Sequence, residues 1–327
     1  MTTYLPDHVM IIAEVGSNHN GDLETAFRLI DIAAECGADV VKFQSFLADQ
    51  LFAADEPHYE RLKKLELPRA WYPELMNRCR SGGVKFLSTA TNETTLGWME
   101  ELGAEAYKVA SGNVSHRPLI ERLIDIGKPV IVSTGLAELD EIVALERRFA
   151  ERGLREFAFL HCVSRYPASV AELNLGNIPA LRQALSCPIG FSDHSLGTEG
   201  AIAAVALGAR IVEKHISIDR TGLGMDHEVA ATPDVFAAMC SGIRGIERAL
   251  GASFAPDPAT KFSMRRSLRF VRAMKKGELI ARDDLKITRP EDGMRPEMLA
   301  EVVGRHLSCD VAADQPVRPG ILLAAVT

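Results

Sequence analysis

The sequence predicts a (β/α)8 TIM barrel followed by a small domain of short strands. Eight short β-branched runs alternate with longer segments of helical periodicity before residue 251. That count favours a closed barrel over an open doubly wound sheet. No GxGxxG motif follows the first run, which disfavours a dinucleotide-binding sheet. A stretch with two prolines and little periodicity then precedes the tail. We therefore assign residues 1–251 to the barrel, 252–262 to a linker and 263–327 to the small domain.

The eight runs have the length and composition of buried strands. In order they are VMIIAEV from Val9, DVVKFQ from Asp39, VKFLS from Val84, AYKVAS from Ala106, PVIVST from Pro129, EFAFLHC from Glu156, PIGFS from Pro188 and ARIVEKHI from Ala209. Between the first two, LETAFRLIDIAAECG repeats apolar residues at three and four and ends at Gly37, a residue suited to the position after a helix. From Ser263 onward, strand-like pieces flank a KKGE turn, and a second turn follows near VAADQPVRPGILL.

The composition is that of a soluble globular protein. Of 327 residues, 47% are hydrophobic and 25% are charged, which excludes a disordered chain, a collagen-like fibre and a coiled coil. The net charge of −7 gives no general attraction to nucleic acid or to an anionic membrane. Six cysteines form no CxxC pair, and the N-terminus lacks the pattern of a signal peptide. We expect reduced thiols in a cytoplasmic protein with no membrane span.

Candidate catalytic residues lie where the predicted strands end, because barrel chemistry occurs at that face. Lys42 and Gln44 are two apart and therefore share one side of their strand, as do Glu213 and His215. The other polar residues at the strand ends include Glu14, Ser88, Thr89, Lys108, Ser111, Asn113, Ser133, His161, Ser164, Tyr166, Ser192 and His194.

Two lysines inside one barrel indicate an anionic ligand. A buried ammonium is costly unless it meets negative charge, and serines at neighbouring strand ends add hydroxyl donors. The pattern favours a phosphorylated, carboxylated substrate. The simpler alternative is that Lys42 and Lys108 pair internally with Glu14 and Glu213. A Schiff base, as in class I aldolases, also remains open for these lysines, whereas Lys214 should point outward by alternation.

Two histidines end adjacent strands and could bind a divalent metal. His194 and His215 would supply two imidazoles, with substrate and water in the remaining positions. His161 precedes a cysteine and fits a core position, so we leave it out of the metal set. The remaining histidines carrying no motif are assigned to surface or loops: His8, His58, His116 and His306.

Ordered motifs give the chain a resemblance to a known family. They are IIAEVGSNHNGD, ADVVKFQSF, YKVASGN, VIVSTGL, LHCVSRYP, IGFSDHSLG and GARIVEKHISID. The chain resembles the sialic acid (N-acetylneuraminate) synthase family over nearly its whole length. Its tail segments RRSLRFVRAMKKGELI and KITRPEDG resemble that family's C-terminal antifreeze-protein-like, β-clip domain.

The resemblance implies a reaction and an assembly. Such enzymes condense phosphoenolpyruvate with an N-acetylated hexose aldehyde, giving a nine-carbon nonulosonic acid and phosphate. It implies a divalent metal, usually Mn²⁺ with Mg²⁺ or Co²⁺ as alternatives, and a domain-exchanged homodimer.

The resemblance also implies roles for individual residues. Glu14 would be the acid/base residue that handles water, with Glu213 near the reacting centre, and His194 and His215 would be the metal ligands. Gln44, Tyr166 and Asp226 would contact the sugar, and Arg289 would reach into the partner's barrel. The phosphoenolpyruvate ligands would be Lys42, Lys108, Ser111, Ser133, Ser164 and Ser192.

The chain departs from the family pattern at three places, which the resemblance implies lie near the sugar. Asn113 replaces a usual acidic residue, STATNE from Ser88 replaces STPFD, and GMDH from Gly224 replaces GPDH. The acceptor is therefore left open between N-acetylmannosamine, its phosphorylated form and a diacetamido-trideoxyhexose. Two other functions also stay open: a 3-deoxy-ulosonate-phosphate synthase acting on a phosphorylated sugar, and a non-catalytic carbohydrate-binding homologue.

Overall fold

The chain forms two compact units. Met1–Gly251 makes up the first and Ala252–Thr327 the second. The structure, a computed structural model, describes residues 4–53, 55, 57–251 and 255–323, without the side chain of residue 225.

The first unit is a closed barrel of eight parallel strands in sequential order, as predicted. Every predicted run overlaps one strand, and four strands extend one or two residues beyond their runs. They are β1 Met10–Gly16, β2 Val40–Ser45, β3 Lys85–Ala90, β4 Tyr107–Val109, β5 Val130–Ser133, β6 Phe157–Cys162, β7 Ile189–Asp193 and β8 Ile211–His215.

Helices connect the strands and surround the barrel. They are α1 Leu23–Glu35, α2 Ala48–Leu51, α3 Tyr59–Lys63, α4 Tyr72–Ser81, α5 Glu93–Glu101, α6 Arg117–Ile126, α7 Leu139–Glu151, α8 Asn177–Ala184, α9 Glu199–Ala206 and α10 Pro233–Leu250. Short 3-10 turns also lie in the connections, among them Ser111–Asn113 and Met225–Glu228. No helix in the described residues is long and apolar enough to cross a membrane.

Helix α1 shows how the local sequence sets these elements. The Asp22 side chain accepts a hydrogen bond from the Thr25 N–H and so caps the first turn. One face of the helix is buried against the barrel, including Leu29 and Ile30. Gly37 follows with φ +95, as predicted for a residue that ends a helix in the left-handed region.

The interior of the barrel is closed at its lower end by an apolar cluster. Inward-pointing side chains from most strands pack there, and a separate apolar layer lies between strands and helices. The interior cluster contains Met10, Ile12, Val40, Leu87, Ala106, Ile131, Ala158, Leu160 and Ile211. The cavity described below therefore lies above this floor.

The second unit is built on a two-stranded antiparallel sheet. Strands β9 Ser267–Phe270 and β10 Leu285–Thr288 pair over a small core of its own that includes Leu268 and Ile280. Gly277, in the predicted KKGE turn, has φ +84. The unit also holds helices α11 Pro258–Met264 and α12 Leu299–Val302.

Helix α11 begins inside the segment that the sequence predicted to be a linker. Aperiodicity suggested the linker, but the local capping chemistry starts a helix there. The Asp257 side chain accepts from the Thr260 N–H, and Pro258 occupies the first helical position.

Candidate active site

Every barrel strand contributes one side chain to a ring directly above the apolar floor. Seven of the ring residues lie two positions after a residue of the apolar floor, and Ser192 lies two positions after Gly190, so the ring points inward. The ring consists of Glu14, Lys42, Thr89, Lys108, Ser133, Cys162, Ser192 and Glu213, and all eight line a cavity of about 330 Å³. The ring is the lowest polar layer of the barrel and therefore forms the bottom of the cavity.

Strand register makes neighbours of the charged ring residues. Glu14 is paired in register with Lys42 on one side and with His215 on the other. The Lys42 Nζ lies 2.7 Å from a Glu14 carboxylate oxygen and 3.7 Å from Glu213. The Lys108 Nζ lies 3.8 Å from Glu213 and 2.6 Å from the Ser133 hydroxyl. Two ammonium groups and two carboxyl groups thus form one buried cluster.

The two carboxyl groups of the cluster differ in pKa. Burial raises the pKa of the Glu14 carboxyl to about 7, although Lys42 opposes the shift, and the charge of Glu213 adds to it. Burial also acts to raise the pKa of Glu213, but Lys108 and Lys42 outweigh it and lower that pKa to about 2. Two carboxyl groups with separated pKa values are what proton transfer in a neutral solution needs.

The two lysines of the cluster also differ in pKa. Burial lowers the pKa of Lys108, and Glu213 only partly offsets the effect. Burial acts in the same direction on Lys42, but Glu14 and Glu213 outweigh it and raise the pKa of Lys42. Lys42 is therefore a fixed positive charge, whereas Lys108 gains most from an additional anion.

A second layer lies two residues further along the strands. Its members on the cavity wall are Gln44, Thr91, Ala110, Ser164, His194 and His215. Gln44 donates from Nε2 to Glu14 Oε1 at 2.9 Å, which holds the carboxyl group against the β2 wall. The serine hydroxyl groups of the wall lie in or just after strands β4 to β7, where Ser111 Oγ accepts from the Gly135 N–H at 3.0 Å.

The two predicted metal ligands sit side by side with an aromatic ring. The His194 and His215 ring centroids are 5.5 Å apart, and the Tyr166 ring lies 4.2 Å from His194. His194 Nδ1 hydrogen-bonds the Val163 carbonyl at 2.9 Å, which leaves the Nε2 lone pair for a ligand. Burial lowers the pKa of His215, so this imidazole is neutral at neutral pH.

Comparison with known proteins identifies the family to which the chain belongs. The sequence matches the model of the NeuB family over residues 29–254 and that of the SAF domain over residues 265–322. The chain belongs to the NeuB family. The predicted resemblance to sialic acid synthases with an antifreeze-like domain is confirmed, and so is the prediction of an enzyme.

Three relatives of this NeuB-family chain illustrate the similarity. The N,N'-diacetyllegionaminic acid synthase of Campylobacter jejuni is 33% identical over 94% of this chain and 98% of its own length. The spore coat polysaccharide biosynthesis protein SpsE of Bacillus subtilis is 36% identical over 96% and 92%. The solved structure of the N-acetylneuraminic acid synthetase of Leptospira borgpetersenii, in complex with citrate, is 35% identical over 78% and 90%, with a TM-score of 0.75.

The structure brings most of the predicted site residues of this NeuB-family enzyme into one cavity. Those on its wall are Glu14, Lys42, Gln44, Lys108, Ser111, Ser133, Ser164, Tyr166, Ser192, His194, Glu213 and His215. Asp226 lies beside them, with Oδ2 3.9 Å from His215 Nδ1. Arg289 is exposed and follows β10 in the second unit.

The structure of the barrel agrees with two other predictions about side chains. Lys214 points away from the cavity, as predicted, and forms a fully buried pair with Asp193 at 2.8 Å. His161 hydrogen-bonds the Leu173 carbonyl at 2.8 Å and stacks on Phe191, as expected of a core histidine.

Sequence reasoning missed seven residues on the wall: Phe46, Leu51, Thr91, Ala110, Gly112, Leu136 and Cys162. It named Thr89 at the end of the third strand, and this residue pairs with Gln44 on one side and Lys108 on the other. Alternation from Lys42 through Gln44 also reaches Phe46. Leu51 comes from helix α2, for which no strand pattern gives a signal.

Proposed function

We propose that this enzyme condenses phosphoenolpyruvate with an N-acetylated hexose aldehyde to give a nonulosonic acid and inorganic phosphate. The observation that carries the proposal is the buried cluster of two lysines and two glutamates, ringed by serine hydroxyls. The relatives named as sialic-type acid synthases support it.

Phosphoenolpyruvate would occupy the ring and the hydroxyl side of the cavity. Lys42 and Lys108 are balanced by Glu14 and Glu213 before substrate binds, so the substrate's charge needs further compensation. Glu14, with its pKa near 7, can hold a proton and supply that compensation. The hydroxyl donors proposed for the substrate are Ser111, Ser133, Ser164 and Ser192.

The residues at the barrel mouth fit a divalent metal, for which we propose Mn²⁺, or alternatively Mg²⁺ or Co²⁺. His215 Nδ1 is buried and makes no hydrogen bond to any described residue, and His194 keeps one ring nitrogen for a ligand. No group of three or more protein ligands is found in the described part of the chain, so substrate and water would complete the coordination. Such an ion would act as a Lewis acid toward the aldehyde oxygen.

The bond changes follow from enol phosphate chemistry. The C3 carbon of phosphoenolpyruvate forms a bond to the aldehyde carbon, whose oxygen takes the carbonyl electron pair and the proton that Glu14 held while the substrate bound. Water then adds to the positive C2 carbon and loses a proton to the Glu14 carboxylate that this transfer leaves. The tetrahedral intermediate breaks its C2–O bond to phosphate, the proton of the C2 hydroxyl leaves with the phosphate, and the 2-keto acid forms. The barrel holds the two substrates and the water in register.

The sugar would lie above the ring. Gln44 and Tyr166 line the cavity there, and Asp226 approaches His215. We propose that Arg289 of a second copy completes the sugar site within a domain-exchanged homodimer.

The test is phosphate release from phosphoenolpyruvate with Mn²⁺ and a panel of N-acetylated sugars. The sugars are N-acetylmannosamine, its 6-phosphate and a diacetamido-trideoxyhexose, with arabinose 5-phosphate as the alternative acceptor. Mass spectrometry identifies the product, and parallel reactions contain EDTA. We expect EDTA-sensitive release of phosphate together with an equal amount of a nonulosonic acid. Release with arabinose 5-phosphate alone, or none with any sugar from folded, metal-loaded protein, would contradict the proposal.

A further inference from the structure

The loop that follows β8 carries Asp226 back to the cavity. The Asp226 Oδ2 lies 3.9 Å from His215 Nδ1. A Cβ added at Gly16 would lie 3.1 Å from both Asp226 Oδ2 and Glu14 Oε1, so the two carboxyl groups are close neighbours. Among the described residues, none donates a hydrogen bond to the Asp226 carboxylate. The position of this carboxylate therefore depends on what holds the loop.

Asn20, in the loop after β1, binds both ends of the segment that carries Asp226. The Asn20 Oδ1 accepts from the Leu223 N–H at 2.8 Å and lies 2.9 Å from His227 Nε2. Because an amide oxygen can only accept, Nε2 carries the proton and donates it. Asn20 and His227 thus form a clamp around residues 224–226.

The imidazole of His227 also connects the loop to β8. The His227 side chain is 3% exposed, and its Nδ1 is hydrogen-bonded to Ser217 Oγ at 2.7 Å. Ser217 comes two residues after the end of β8, and Asn20 comes four residues after the end of β1. One buried ring therefore fixes the turn that contains Asp226 to the ends of both strands.

Two glycines allow the loop to pack closely against the clamp. A Cβ added at Gly222 would overlap His227 Nε2 and would lie 2.6 Å from Asn20 Oδ1. A Cβ added at Gly224 would lie 2.9 Å from Ser17 Oγ. The backbone on both sides of Leu223 is thus in contact with the loop after β1, which leaves little room for the segment to shift.

We propose that Asn20 and His227 are positioning residues, which hold the Asp226 carboxylate beside the cavity. Neither residue lies on the wall of the cavity, so they act through Asp226. The inference rests on the proposed function for its kinetic test and adds to it two residues outside the wall. A reacting group displaced by about 1 Å can lower the rate roughly 100-fold, so the clamp matters for turnover.

The experiment is a double-mutant cycle measured on kcat/KM for the acceptor sugar at saturating phosphoenolpyruvate. His227→Leu should lower kcat/KM roughly 100-fold by releasing Asp226. The double variant with Asp226→Ala should be no slower than Asp226→Ala alone, because coupled residues are not additive. His227→Gln keeps a donor for Asn20 and should recover most of the loss. A His227→Leu loss that persists in full in the Asp226→Ala background would overturn the proposal.

The matched control is His161→Leu, which also removes a buried histidine. His161 is 6% exposed and hydrogen-bonds the Leu173 carbonyl. Its variant should unfold at lower urea but keep its activity per folded molecule. Asn20→Gly is the second test variant, because it removes the accepting oxygen and tolerates the φ of +55 found at this position. It should reproduce the His227→Leu loss, and normal activity would contradict the clamp.

Amide hydrogen exchange tests the clamp without turnover. Residues 219–228, which include the Leu223 N–H, should exchange faster in Asn20→Gly and in His227→Leu than in Asp226→Ala. Unchanged exchange in Asn20→Gly would overturn the clamp and leave the proposed function standing. Absence of turnover with every sugar in the unaltered enzyme would instead overturn the proposed function, and the exchange data would still decide whether the clamp holds the loop.

Discussion

Glu14 combines complete burial, a lysine partner and a position beside the strand that carries His215. Because burial raises the pKa of its carboxyl to about 7, the group gains charge as the pH rises through neutrality. The charged form repels an anionic substrate, and the neutral form does not. We therefore predict that the KM for phosphoenolpyruvate increases between about pH 6 and pH 8.5, in steady-state assays across that range.

Glu14→Gln is the control for this pH profile, because the amide is neutral at every pH. The variant should lose most of its turnover and show a nearly flat KM for phosphoenolpyruvate. A pH dependence identical in the variant and the unaltered enzyme would assign the effect to the substrate's own phosphate group.

Gly16 allows Glu14, Gln44 and Asp226 to approach one another. Its φ is +53, and an added Cβ would lie 3.1 Å from both Glu14 Oε1 and Asp226 Oδ2. Gly16→Ala should lower the free energy of unfolding by about 1–2 kcal/mol, because alanine is strained in the left-handed backbone conformation. It should also lower the rate of phosphate release by more than roughly tenfold, because the added Cβ displaces these groups.

The matched control for Gly16→Ala is Gly97→Ala in α5, where an added Cβ meets nothing within 4 Å. Urea denaturation and the phosphate assay should show equal or higher stability and normal activity for that variant. Normal activity in Gly16→Ala would show that the close approach is not required.

At the scale of one element, successive residues of β8 point to opposite faces, one that lines the cavity and one that packs behind the strand. Glu213 and His215 face the cavity, whereas Lys214 is fully buried behind the strand and also donates to the Ser195 carbonyl at 2.6 Å. Lys214→Met should cost about 3–5 kcal/mol because it leaves Asp193 buried without its cation. Activity per folded molecule should be retained.

Lys108→Met provides the opposite case for comparison with Lys214→Met. Its lysine faces the cavity, so phosphate release should disappear. The loss of stability should be smaller because Lys42, 3.7 Å from Glu213, still compensates that carboxylate. If Lys214→Met abolished activity in a folded protein, the assignment of the two faces of β8 would be wrong.

The elements of the barrel were predictable because eight short β-branched runs alternate with segments of helical periodicity. The alternation of side chains along a strand predicted that Lys42 and Gln44 share a face and that Lys214 points away from the cavity. Phe46 was missed because only polar residues were sought at strand ends. Helix α11 was missed because a single Asp-Pro cap, rather than apolar periodicity, starts it.

Asp226 shows a different limit of sequence reasoning. It lies in the 3-10 turn Met225–Glu228, far along the chain from Gly16, and only tertiary packing brings its carboxylate near Glu14 and His215. No local pattern encodes such a contact. The resemblance to the family pointed to Asp226, whereas the periodicity of the chain did not.

At the scale of the whole molecule, the proposed exchange of domains makes a complementation prediction. Arg289→Ala and His215→Ala variants should each be nearly inactive as homodimers. If Arg289 acts on the partner's site, unfolding and refolding the two variants together should restore about a quarter of the normal activity, by statistical pairing in a two-fold dimer.

In the control, the double variant Arg289→Ala/His215→Ala is unfolded and refolded together with the unaltered chain. This mixture contains the same proportion of intact Arg289 and His215 residues as the mixture of single variants. An inactive mixture of the single variants, beside an active control, would contradict a role for Arg289 in the partner's site.

The claim on which the whole account depends is that the buried lysine–glutamate cluster binds phosphoenolpyruvate. Calorimetric titration of phosphoenolpyruvate into the Mn²⁺-loaded enzyme, without a sugar, measures it directly. We predict one site per chain in the unaltered protein and in folded Lys214→Met. Lys108→Met should bind roughly 100-fold more weakly, since it loses a buried charge-assisted contact. No binding to the unaltered enzyme, or equal binding to Lys108→Met, would contradict the account.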